Sequence, residues 1–172
     1  MANNQESNIE QTIDKVNKLW PEYFEKFELP ETARDDCIKV FRMCKSSKCD
    51  HESFMCTYEE NGFKCLDEDE EADPSTYSMS VYYDFKDIKR FKNVNRPPCE
   101  IAMGHTNPER GKVSITREWN KSKYYKRSSH TDYWLYQDAK PELDFEIIDF
   151  DSYLDKWHKE REEKINNGKN KF

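Results

Sequence analysis

The sequence has few glycines, no long apolar run and no recognisable catalytic motif. Only four of its 172 residues are glycine, so the sequence has no glycine-rich phosphate-binding loop. No stretch approaches the roughly 20 apolar residues that span a bilayer, and the N-terminus has no basic region followed by an apolar one. We therefore expect a cytoplasmic protein without membrane association. The four histidines lie outside any motif, so we assign no catalytic residues and favour a protein that is not an enzyme.

Aromatic residues compensate for a low apolar content. Hydrophobic residues make up 35% of the chain and charged residues 37%, while aromatic residues reach 14%. Each aromatic side chain buries about 150–250 Å², so a core can still form. The length favours a single domain, at residues 7–167, with a disordered tail at 1–6 and a frayed tail at 168–172.

Hydrophobic periodicity predicts an α+β fold. Between residues 75 and 85, apolar and polar residues alternate with the period of two that is typical of a half-buried strand. Further strand candidates follow with short links, which favours an antiparallel sheet. The prediction is a helical subregion at 7–45, a cysteine-rich loop and hairpin at 46–66, a sheet of about five to seven strands at 75–150, and a C-terminal helix at 151–167 packed on the sheet.

Two local patterns support the first half of this prediction. From about Glu31 to Lys45, apolar residues recur at helical spacing, which predicts the last of three N-terminal helices. Asn61 and Gly62 stand between two apolar runs, and this pair is a strong hairpin signal because both residues tolerate positive φ. The predicted hairpin runs from Ser53 to Leu66.

The cysteines allow three interpretations. In a reducing compartment, clustered cysteines are expected to be free thiols or metal ligands, and disulfides are disfavoured. Zinc takes four Cys or His ligands in a tetrahedral array, but the chain has no Cys-x-x-Cys pair. We therefore keep buried free thiols, one structural zinc and a disulfide as alternatives, and expect either no cofactor or one zinc. The candidate zinc ligands are Cys44, Cys49, His51, Cys56 and Cys65.

Charge is unevenly distributed along the chain. The net charge is −7, yet residues 86–127 contain 12 Lys or Arg against 4 Asp or Glu. An acidic run precedes this segment, and it is a candidate protein-binding patch because complementary charge orients association. Its members are Asp67, Glu68, Asp69, Glu70, Glu71 and Asp73.

Two basic groups interleaved with aromatic residues form a second candidate surface. Lys and Arg neutralise phosphates while aromatic rings stack on bases, so this surface is a candidate for nucleic acid or for a protein partner. The first group is Lys86, Lys89, Arg90, Phe91, Lys92 and Arg96. The second group is Lys121, Lys123, Tyr124, Tyr125, Lys126 and Arg127.

These observations favour binding over catalysis. The leading hypothesis is a non-enzymatic binding protein, an inhibitor of the phage anti-defence or immunity-protein type, that occludes a partner's surface with its acidic and basic patches. The expected partner is a protein, alone or in a complex that contains nucleic acid. The alternative is a nucleic-acid-binding accessory protein with a zinc-stapled cysteine region. The third hypothesis is a cysteine or metal enzyme of unrecognised type.

Overall fold

The computed structural model describes residues 18–94 and 99–169, and within them the chain forms a six-stranded antiparallel sheet. The spatial order is β4-β5-β2-β1-β3-β6. The predicted α+β class with an antiparallel sheet is thereby confirmed. The strands are β1 (Lys39–Cys44), β2 (Met79–Tyr82), β3 (Glu100–His105), β4 (Gly111–Ile115), β5 (His130–Leu135) and β6 (Phe145–Ile147).

Short helices connect the strands, and one long helix follows them. The α-helices are α1 (Thr57–Glu60), α2 (Glu68–Ala72), α3 (Phe85–Ile88), α4 (Phe91–Val94), α5 (Thr116–Trp119) and α6 (Phe150–Lys169). Single turns of 3-10 helix lie at Glu22–Lys26, His51–Phe54, Pro74–Tyr77 and Pro141–Asp144. No helix of the described residues is both long and apolar enough to cross a membrane.

The predicted C-terminal helix is confirmed as α6, which packs on the sheet. Tyr153, Leu154 and Trp157 contact the apolar cluster beneath it. The Asp149 carboxylate accepts a hydrogen bond from the Ser152 amide at 2.9 Å, so Asp149 caps the N-terminus of this helix.

One face of the sheet carries the main apolar core. Successive residues of a strand point to opposite faces, so this core collects alternate positions of the strands. The buried members are Val40, Cys44, Phe54, Met79, Val81, Ala102, Val113, Tyr133 and Phe145.

The opposite face is divided into two halves of different chemistry. Under α3 and α6, near β1 and β3, it is apolar and aromatic, with Phe41, Phe85, Ile88 and Ile101 buried. Toward β2, β5 and β4 the same face is polar. Ser80 and Ser114 lie directly across from Asp132 on the neighbouring strands, so these three side chains share one row.

The helix predicted between Glu31 and Lys45 is wrong, because the second half of this segment is the central strand β1. Arg34 instead forms an isolated bridge with Val113 beside the edge strand β4. The reason lies in burial on both faces: Val40 packs in the main core and Phe41 in the cluster under α6. Apolar residues at consecutive positions hide the period of two.

The predicted hairpin between Ser53 and Leu66 is also wrong. Asn61 and Gly62 do form a turn, and Gly62 has φ of 70°, but the turn ends helix α1. The Phe63 amide donates to the Tyr58 carbonyl oxygen and the Gly62 amide to that of Glu59, which is the Schellman arrangement. In this protein the Asn-Gly pair therefore ends a helix and does not connect two strands.

Other boundaries shift more modestly. The strand predicted for residues 75–85 is shorter, because its beginning is a 3-10 turn and its end starts α3. The candidate strand at 112–119 ends at Ile115, where α5 begins. The first predicted helix, from residue 7 to about 20, lies mainly outside the described residues, as does the predicted tail at 1–6.

Candidate functional site

A buried hydrogen-bond chain lies in the polar half of the sheet. Asp132, on β5, has no solvent exposure. Its carboxylate accepts from the Ser78 hydroxyl and from the Thr116 hydroxyl, each at 2.6 Å. The Thr116 oxygen also lies 2.6 Å from Nδ1 of His130. A buried carboxylate requires such donors, because leaving it unpaired away from water is costly.

This chain fixes where the His130 ring carries its proton. A threonine hydroxyl has one hydrogen, and Thr116 donates it to the ionised Asp132. The Thr116 oxygen must then accept from Nδ1–H of His130. The second ring nitrogen, Nε2, is therefore left with an unshared electron pair. Among the described residues, no group forms a hydrogen bond with that nitrogen.

Burial favours the neutral form of the His130 ring and makes the ionised form of Asp132 energetically costly. Burial is the main cause that lowers the pKa of His130; the neighbouring Asp132 raises it and Arg42 lowers it further. Burial also raises the pKa of Asp132, against the opposing effects of His130, Ser78 and Thr116. Perturbed groups of this kind are concentrated at functional sites.

Two tyrosine rings enclose His130. Its ring centroid lies 5.3 Å from that of Tyr82 in an edge-to-face contact and 5.2 Å from that of Tyr125. The side chain is 8% exposed, and that remaining exposure opens into a surface cleft. The ring is thus held by Tyr82, Tyr125 and Thr116, and His130 contributes to the wall of the cleft.

We name this cavity the His130 cleft; its volume is about 390 Å³. Three carboxylates and one imidazole contribute to its wall, while no lysine or arginine in the described part of the chain does. The Ser75 hydroxyl lies there as a buried oxygen with no hydrogen-bond partner among the described residues. The lining residues are Thr57, Asp69, Glu70, Asp73, Ser75, Thr76, Ser80, Tyr125 and His130.

Half of the predicted acidic patch lines this cleft. Asp69 and Glu70 do so from α2, and Asp73 does so from the cap of the next 3-10 turn. Asp67 instead caps α2 by accepting from the Glu70 amide at 2.8 Å. Glu68 is exposed, and Glu71 pairs with Lys26 at 3.0 Å.

Arg42 closes the sheet beside the cleft. Strands β1 and β2 share only one paired position, Phe41 with Tyr82, so their main chains separate beyond it. The Arg42 guanidinium fills this opening. It donates at 2.8–3.2 Å to three main-chain carbonyl oxygens, those of Ser53, Met55 and Ser80.

The first predicted basic group is partly engaged within the protein. Lys92 donates to the Glu100 carboxylate at 2.6 Å, and Lys86 pairs with Asp84 at 3.4 Å. Lys89 and Arg90 lie over the aromatic rings of Trp157 and Phe91, respectively. Arg96 lies outside the described residues.

The second predicted basic group lies on the loop that leads into β5. Tyr125 packs against His130, while Tyr124 is 79% exposed. Lys123 lies over the Tyr124 ring, and Lys121 donates to the Glu118 carbonyl oxygen. Lys126 and Arg127 are exposed. The acidic and basic surfaces therefore meet beside His130.

The structure does not bring the five candidate zinc ligands together. Cys44 and Cys49 belong to the main core, whereas Cys56 and Cys65 pack among aromatic rings around Tyr77. His51 is exposed. In the two described ranges no group of three or more His, Cys, Asp or Glu is arranged to hold a metal ion. Burial raises the pKa of both Cys44 and Cys56 to about 12, so both are unreactive thiols at neutral pH.

Sequence reasoning missed the buried chain of Ser78, Thr116, His130 and Asp132. Residues 120–131 are polar and basic, which is typical of a loop, yet β5 begins at His130. A usable signal was present, since His130 and Asp132 alternate with Thr131 and Tyr133 and so share one face of an extended chain. Ionisable residues on a strand face that leads into Trp134 indicate a polar site within a sheet.

No protein-family model, curated protein or solved structure matches the chain. The fold defines an α+β protein built on a six-stranded antiparallel sheet among the described residues. Its site is a carboxylate-lined cleft with a neutral imidazole at its base. Such a cleft can accept hydrogen bonds from a cationic group, and Nε2 can also take up a proton.

Proposed function

We propose that this chain is a binding protein whose His130 cleft receives a basic side chain, a lysine ammonium or an arginine guanidinium, of a partner protein. The set of side chains that line the His130 cleft is the main support for this proposal. Asp69, Glu70 and Asp73 line the same cleft as His130, and no lysine or arginine of the described residues lines it. A ligand with several N–H donors and a positive charge complements this arrangement.

Exposed apolar residues beside the cleft support a protein partner over a free small cation. Leu66 is 83% exposed, and its amide donates to the Glu70 carboxylate at the cleft. Tyr124 is 79% exposed and adjoins Tyr125 on the opposite wall. Protein interfaces characteristically surround a polar anchor with such side chains, and tyrosine is enriched among the residues that dominate binding energy.

The first experiment measures binding of a labelled peptide of alternating arginine and glycine by fluorescence polarisation. A peptide with citrulline in place of arginine keeps the shape and removes the charge. The variant Asp69→Asn/Glu70→Gln/Asp73→Asn keeps oxygen acceptors for the Leu66 and Ser75 amides but removes three negative charges. Because each exposed pair contributes about 0.2–1 kcal/mol, three lost pairs amount to about 0.6–3 kcal/mol, and we expect the variant to bind on the order of 10-fold more weakly.

Glu68→Gln is the matched control, since Glu68 lies on the same helix and outside the cleft. We expect it to bind the arginine peptide nearly as the unaltered protein does. Equal binding of the arginine and citrulline peptides would contradict the proposal. So would equal weakening by the control and by the triple variant, because one carboxylate outside the cleft would then matter as much as the three that line it.

A further inference from the structure

A second cavity, of about 490 Å³, lies between β1, the start of α3 and α6, and we name it the basic groove. Asp84 is the one carboxylate that contributes to its wall. The cationic lining residues are Lys39, Lys86, Arg161 and Lys164, which come from three separate parts of the sequence.

Aromatic rings hold the cations of this groove in place. The Lys39 ammonium lies 5.3 Å from the ring centroid of Tyr153 and donates to its hydroxyl at 2.9 Å. Trp157 contacts the Lys89 ammonium at 4.0 Å and the Arg161 guanidinium at 4.7 Å from its centroid. A ring orients a cation without cancelling its charge, so these groups are still available to an anion.

Most of these cations have no carboxylate partner. Lys86 pairs with Asp84 at 3.4 Å. Within residues 18–94 and 99–169, the lining residues Lys39, Arg161 and Lys164 form no ion pair, and neither does Lys89, which lies over Trp157 beside the groove. Elsewhere in the protein, cations such as Arg34 and Arg110 do pair with carboxylates. The groove is therefore a local concentration of unneutralised positive charge.

We propose that the basic groove binds the phosphodiester backbone of a single-stranded nucleic acid. Several unneutralised cations suit a ligand with repeating charges, whereas a single phosphorylated side chain carries only about −1.5 to −2. The Arg161 guanidinium, which lies over the Trp157 ring, is also a planar group on which an unpaired base can stack. This inference goes beyond the proposed function, because the groove shares no lining residue with the His130 cleft.

The test is fluorescence polarisation with labelled single-stranded oligouridylate, oligothymidylate and a duplex, at about 50 and 200 mM salt. We expect salt-sensitive binding of a single-stranded probe that is tighter than duplex binding. The double variant Lys39→Met/Arg161→Gln should weaken it about 10-fold or more. The slope of log affinity against log salt should decrease in magnitude by about 1.4, since each single-strand phosphate contact contributes about 0.7.

Lys156→Met/Lys159→Met is the matched control, since both lysines are exposed on α6 outside the groove and the change in net charge is the same. Binding close to that of the unaltered protein is expected for this control. Equal weakening by both double variants would overturn the proposal, as would binding of a phosphorylated peptide without binding of any oligonucleotide. Absence of binding at low salt would overturn it too. The relative affinities for the RNA and DNA probes identify which kind of single strand the groove binds.

Discussion

The His130 cleft and the basic groove lie on the same side of the sheet but place their charges differently. In the cleft, a buried network beneath the surface fixes the proton on one imidazole nitrogen, so part of the site is structural. In the groove, Lys39 and Arg161 lie over aromatic rings, and among the described residues neither cation forms an ion pair. The cleft is therefore coupled to the stability of the fold, whereas the groove is nearly independent of it. Substitutions in the two sites should differ in how far they change the free energy of unfolding.

The largest effect is expected at the base of the cleft. Asp132→Ala removes the acceptor of two buried hydroxyls, those of Ser78 and Thr116, and leaves a cavity. The free energy of unfolding should fall by about 3 kcal/mol, measured by chemical denaturation. Asp69→Ala, an exposed carboxylate of the same cleft, should change it by less than about 0.5 kcal/mol. Equal stability of the two variants would mean that the buried Asp132 contributes no more to folding than an exposed carboxylate of the same cleft.

Thr116→Val breaks the chain at the next step. Valine has nearly the same shape but no oxygen, so nothing holds the proton of His130 on Nδ1 and Asp132 loses one donor. We expect a loss of about 1–2 kcal/mol in stability. Nitrogen NMR of the imidazole should show the proton moving to Nε2. An N–H there repels a cationic donor, so the arginine peptide should bind about 10-fold more weakly, which is about 1.4 kcal/mol.

Thr116→Ser is the control for this change, because it keeps the hydroxyl. Its imidazole spectrum and peptide affinity should match those of the unaltered protein. If Thr116→Val leaves the proton on Nδ1, the chain from Asp132 does not determine the tautomer. In that case the Nε2 lone pair cannot be assigned to this network.

The two sites also differ in how far the sequence predicts them. The acidic run and the basic segments are evident as charge patterns, and Lys86 does line the groove. Which members act together is decided by tertiary structure. Lys39 and Arg161 are 122 positions apart and meet only because β1 lies beneath α6. No local pattern predicts such a meeting.

The fold itself was predictable where one side of a strand is buried and the other is less so. The alternation around Met79 and Val81 identified β2, and that strand indeed alternates between buried and partly buried residues. The central strand β1 was missed because both of its faces are covered, which makes its apolar pattern ambiguous. The buried hydrogen-bond chain was missed for a related reason. Thr131, Asp132 and Tyr133 are all buried, although the strand that contains them begins with polar residues.

The pH dependence of His130 offers a smaller test of the cleft. Burial lowers the pKa of this ring below its ordinary value of 6.5, so a proton NMR titration should place the midpoint below 6.5. Below pH 6.5 the unfolded chain binds a proton that the folded ring still excludes. This contribution to stability is therefore complete above pH 6.5 and is lost as pH falls through the folded pKa.

His130→Gln should remove that component of the pH dependence. The buried Asp132 has the opposite sign, because its raised pKa lets the folded state hold a proton that the unfolded chain has already released above pH 3.8. Comparison of the variant with the unaltered protein isolates the histidine. A midpoint at or above 6.5 would mean that Asp132 outweighs burial and that the ring is cationic when the cleft is empty.

The smallest effect is expected in the basic groove, where charge can be removed with little cost to folding. Lys39→Met keeps the aliphatic chain against Phe41 and Tyr153 and loses only two cation–ring contacts and one hydrogen bond. The free energy of unfolding should fall by less than about 1 kcal/mol. Chemical denaturation beside Asp132→Ala measures this directly. A loss of stability comparable with that of Asp132→Ala would mean that the cations of the groove are structural. The two sites would then not differ in how strongly they are coupled to the core.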